Sequence, residues 1–238
     1  MSENKIYSDF VNFFLLLNSS ILLIPNKFKA YPILFLLVFS FILYKKSKKK
    51  NNYSFKKIFL ISALFFIYLA SSLYSLQAKE AVFKLSTMAS LVAYPIIFGL
   101  LESSHFMISK KQRETIFKGF AFSTTIFCVT SFIYFWKQEF NFNETIIHYF
   151  NLIDIRLGIF SIHPIYLAIY IGISILMIIY LIQNSHYLFL KITYVVLGLL
   201  LIVILIMLMR KGPIIYLLIP FYLLLANYVK IKKTIIIV

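Results

Sequence analysis

The chain has 238 residues, 61% of them hydrophobic and only 13% charged, with a mean hydropathy of +0.89. No globular fold has interior enough for that much apolar side chain, so composition excludes an ordinary soluble domain and assigns an integral membrane protein. The formal net charge is +16, but the lysines fall in short clusters between apolar runs. They read as topology signals and anionic-headgroup contacts, not as a nucleic-acid surface. A single cysteine, Cys128, lies inside an apolar segment, which leaves no disulfide or thiolate metal site within one chain.

The N-terminal ten residues mix acids with one lysine and lead into an apolar run without a small-x-small cleavage site, so no cleaved signal peptide is expected. Two short runs follow, residues 11–24 and 31–44. They read as two thin spans or one re-entrant hairpin, and either returns the chain to its starting side. Residues 45–57 hold seven lysines in thirteen positions, and the positive-inside rule places this cluster in the cytoplasm, with the N-terminus on the same side. Residues 58–76 then cross outward, 85–101 return with Pro95 as a kink, and 116–136 cross outward again to Trp136 at the interface. The longest external loop is 137–163. Spans at 164–182, 192–209 and 213–229 follow, the last two separated by an outer Arg210-Lys211-Gly212 turn.

This orientation puts 16 of the 24 basic residues inside and 8 outside, a bias that supports it. The expected fold is an all-α polytopic transmembrane helical bundle in one domain, residues 1–238, with about eight spans plus the start of a ninth at 234–238. A helix that crosses lipid cannot end there, so truncation at the C-terminus is expected.

The stretch around which this pattern is organised is Arg156-Leu-Gly-Ile-Phe-Ser-Ile-His163-Pro164-Ile-Tyr-Leu-Ala168. Pro164 lacks an N–H and restrains the residue before it, which suits a helix starting at 164 with His163 outside it or at its cap. Arg156 and Arg210 reach the same external face by the span count. Permanently charged guanidiniums form two-point contacts with phosphate oxygens, so the pair can hold a lipid-linked diphosphate, with Lys211 as a weaker partner. The alternative is interfacial anchoring, a common use of arginines beside spans. His163 is a possible substrate contact or simply a helix cap. His148, Glu139, Glu144 and Asp154 share the loop in no metal-binding or paired-carboxylate spacing. The spans carry no acid near the bilayer middle, which argues against an ion-coupled carrier.

Residues 156–168, followed by one span, a short turn, a leucine-rich span and Arg210-Lys211-Gly212, resemble the O-antigen ligase and O-antigen polymerase family over about residues 150–229. The family's second element usually reads Ser/Thr-Arg-Gly/Ala; here Met209 precedes the arginine and Lys211 separates it from Gly212. The resemblance implies a multi-pass protein of the cytoplasmic (inner) membrane. It would transfer a glycan from undecaprenyl diphosphate to a sugar hydroxyl on lipid A core or on another glycan, with no metal ion or nucleotide cofactor. It also implies that outward-facing arginines, Arg210 first and Arg156 second, hold the diphosphate. The catalytic histidine would lie on a later external loop, beyond Val238, and not at His163. The partners expected are the lipid-linked glycan, its acceptor and membrane lipids, with no nucleic acid. A lipid or polysaccharide transporter and a non-enzymatic scaffold are the competing expectations.

Overall fold

The computed structural model describes residues 3–47, 59–60, 62–73, 89–104, 106, 108–138 and 141–208. Among them the regular structure is all helical: α1 (Glu3–Ser19), α2 (Ala30–Lys46), α3 (Ala63–Leu73), α4 (Ser90–Ser103), α5 (Lys110–Gln138), α6 (Phe142–Ile155), α7 (Pro164–Asn184) and α8 (Leu188–Met207), with 3-10 turns at Ile21–Leu23, Asn26–Phe28 and Gly158–Phe160. Four segments are long and apolar enough to cross a membrane: Asn26–Lys46, Lys110–Lys137, Pro164–Asn184 and Leu188–Met207. The protein is therefore an α-helical membrane protein. The span expected at 213–229 lies outside the described residues, as do the loop at 77–84 and the lysine cluster beyond Ser47.

The helices group into two compact units, one of Met1–Asn18 with Phe28–Gln112 and the other of Ser19–Lys27 with Arg113–Val238. In the first, α1 and α2 run antiparallel, because Phe10 stacks on Phe39 at 4.8 Å and Phe14 on Phe35 at 5.2 Å. At the end of that pair the Lys46 ammonium donates to the Tyr7 hydroxyl at 3.2 Å and lies 4.5 Å over its ring, a cation over an aromatic face. The Ser47 hydroxyl donates to the carbonyl of Ser104, just past α4. The C-terminal ends of α2 and α4 thus share one side of this unit, as the parity of the sequence-based spans requires. Asn18 ties α1 down twice: its amide donates to the Phe14 carbonyl and its oxygen accepts from Tyr94 at 2.9 Å. Residues 20–24, expected inside the first span, instead leave the helix as the 3-10 turn Ile21–Leu23 with Ile21 and Leu22 buried.

The second unit is built on α5, 29 residues long. Its mid-span hydroxyls bond back to their own helix, Thr124 to the Phe120 carbonyl, Thr125 to Ala121 and Thr130 to Ile126, which satisfies polar groups that lipid cannot. Here the structure differs most from the sequence-based expectation. The segment 137–163 is mostly helix, not open loop. Asn141 and Glu144 form a capping box that starts α6, and α6 folds back along the upper part of α5, placing Phe142 against Phe132 and Trp136 and Tyr149 against Phe132 and Phe135. Below it, α7 continues downward beside the lower part of α5, with Phe120 stacked on Tyr170 and Phe117 edge-on to Tyr180. The descending limb is thus two helices with a break between them. α8 then returns against α7. At that seam Gly198 faces Ile178, whose nearest atom would stand 3.5 Å from a Cβ placed there, an ordinary packing distance.

At 21 residues, α7 is about 31 Å long and crosses the hydrocarbon core alone. The break above Pro164 therefore stands at one membrane surface, and the α5–α6 hairpin rises past it. The exposed face of α6 mixes Asn143, Glu144, His148, Asn151 and Asp154 with Ile147 and Ile155, the character of a helix at the membrane interface. The orientation inferred from the lysines has a direct test. A membrane-impermeant thiol reagent should label Asn143→Cys from outside the cell and Lys111→Cys only after permeabilisation. The native Cys128 is fully buried and should give little background. The opposite pattern would reverse the topology.

Candidate functional site at the break between α6 and α7

α6 ends at Arg156, whose amide donates to the Leu152 carbonyl at 2.8 Å as the C-cap. Gly158 follows at φ +55, a left-handed conformation that a side chain resists. It opens the 3-10 turn, in which the Phe160 amide donates to Leu157 and the Ser161 amide to Gly158. The Ile162 amide then donates back to the Ile153 carbonyl at 3.3 Å. That bond closes the loop on the last turn of α6. Arg156 and His163 therefore sit on either side of one small closed loop, both exposed.

His163 is the N-cap of α7, with Pro164 in the first turn, as the sequence pattern suggested. Its carbonyl accepts from Tyr166 at 2.9 Å and its Nδ1 accepts from the Ile165 amide at 3.4 Å. The N-terminus of α7 adds its own partial positive charge.

A second segment reaches this loop from 135 residues away in sequence. The turn after α1 is anchored on α5, where the Ser123 hydroxyl donates to the Ser19 carbonyl at 2.9 Å and Leu22 joins the core with Ala121. From there the Asn26 amide donates to the Ser161 carbonyl at 3.0 Å. In the sequence, residues 25–30 only separate the apolar runs 11–24 and 31–44. No periodicity marks a side chain that will bond a distant backbone carbonyl, so this contact was not foreseeable from the pattern.

Arg210 and Lys211 lie outside the described residues. The chain reaches Leu208, which is fully buried in the same core as Leu152, Ile153 and Leu167, next to the break. Among the described residues no group of three or more His, Cys, Asp or Glu is placed to hold a metal ion. Asp154 is the one acid within two residues of Arg156. At the break the described residues bring one guanidinium, one histidine and a helix N-terminus to the same loop, and no nucleophile–base pair is identified there. No protein-family model, no curated protein and no solved structure matches this chain.

Proposed function

We propose that the break between α6 and α7 binds the diphosphate of a lipid-linked glycan. On this reading the protein is an O-antigen ligase-like or polymerase-like glycosyltransferase of about eight spans, acting on the outer face of the cytoplasmic membrane. One observation carries the reading: the Arg156 and His163 positions, seven residues apart in sequence, flank one loop closed by the Ile162–Ile153 bond at the top of a membrane-length helix. Arg210, outside the described residues, is added on the sequence resemblance alone. Permanently charged guanidiniums at a low-dielectric interface stabilise the charge that develops on a departing diphosphate, and need no metal to do so. Transfer forms the new glycosidic bond at the sugar's anomeric carbon, breaks the bond to the diphosphate oxygen, and moves the acceptor hydroxyl proton to a base. His163, the N-cap of α7, is assigned to binding and not to that step.

Replacing Arg210 with alanine in the intact protein should abolish glycan transfer while membrane insertion stays normal. Undiminished transfer would remove that role. The competing reading is a lipid or polysaccharide carrier, whose discontinuous helices would lie at the bilayer midplane. A carrier would move labelled lipid-linked glycan across a vesicle bilayer with no acceptor present, whereas a transferase would require the acceptor and leave free lipid diphosphate.

A further inference from the structure

We infer that Lys27 is a further cationic contact of the same anion site, brought to the break by the turn after α1. The inference rests on the diphosphate reading above and extends it to a segment that the motif does not contain. Lys27 is exposed and immediately follows Asn26 in the 3-10 turn Asn26–Phe28. The Asn26 side chain is itself bonded to Ser161, two residues before His163. The turn does not merely happen to lie there. It is fixed at both ends, by Ser123 on the Ser19 carbonyl and by Asn26 on the Ser161 carbonyl, with Leu22 packed into the core between them.

Lysine carries a compact ammonium on a flexible four-carbon stem, so from this anchored position it can meet an anion seated between Arg156 and the N-terminus of α7. The charges then divide by function. The guanidinium of Arg156 supplies directional, two-point contact, and Lys27 supplies an adjustable point charge. Asp154 is the nearby acid by sequence, and one extra cation offsets it. The ligand chemistry is a diphosphate, attached to an isoprenoid or free.

The full chain in nanodiscs of neutral phosphatidylcholine tests this, with farnesyl diphosphate and inorganic pyrophosphate as separate probes. Lys27→Ala should weaken farnesyl diphosphate binding about five-fold, the upper range for one exposed charge contact, and Lys27→Arg should restore it. Weakening for farnesyl diphosphate alone identifies the lipid-linked ligand. Equal weakening for both probes supports the contact and identifies the diphosphate as sufficient. If Arg156→Ala weakens binding and Lys27→Ala does not, the Lys27 contact is overturned and the diphosphate reading stands. If neither substitution changes binding of either probe, both fall.

Discussion

Replacing Tyr149 with alanine is expected to destabilise the second unit by about 3–5 kcal/mol, the range for deleting a buried aromatic side chain. The ring is fully buried between Phe132 and Phe135, and its hydroxyl lies 2.9 Å from the Ser131 hydroxyl and donates to the Cys128 carbonyl at 3.2 Å. Burial first, and the neighbouring Cys128 second, push this phenol well above the ordinary tyrosine range, so it remains a protonated donor. Removing only the hydroxyl is a different experiment. Ser131 keeps its own bond to the Cys128 carbonyl at 3.0 Å, so Tyr149→Phe leaves that carbonyl paired and should cost only about 1 kcal/mol. Unfolding of the reconstituted protein, followed by thermal or denaturant titration, separates the two. The alanine variant should also bind farnesyl diphosphate less well, because α6 carries Arg156 at its C-cap and Tyr149 is what holds α6 against α5. Equal stability of the alanine and phenylalanine variants would show that ring packing does not hold the hairpin.

The same residue shows where sequence reasoning stopped. Membrane-length runs declare themselves through their length alone, so 164–182 emerged as Pro164–Asn184 and 192–209 as Leu188–Met207, with ends shifted by a few residues. The position of His163 was legible for a local reason, since Pro164 restricts the residue before it. α6 was missed because its outward face carries Asn, Glu, His and Asp, which resembles a solvated loop when composition alone is weighed. The signal was present all the same. Thr145, Tyr149, Leu152 and Ile153 are its buried residues, at the three- and four-residue spacing of one helical face, and Asn141 with Glu144 forms the start signature. The link from Asn26 to Ser161 had no such signal. It depends on where two distant turns come to rest against α5, and only the folded chain supplies that.

The glycine of the motif gives the second expected result, and it probes the loop without touching a charged group. Gly158 has φ +55 and nothing within 4 Å of where a Cβ would stand, so a substitution there meets backbone strain and no steric neighbour. A β-branched residue resists the left-handed region most, and Gly158→Val should cost about 1–2 kcal/mol. Gly158→Asn should cost far less, because a short polar side chain tolerates that conformation. If the loop relieved the strain by moving, the Ile162–Ile153 closure would loosen and the positions of Arg156 and His163 would no longer be held together. The valine variant should then lose diphosphate affinity while the asparagine variant keeps it. Equal affinity in the two variants, alongside the expected difference in stability, would mean that the closed loop is a structural turn and that the anion is held elsewhere.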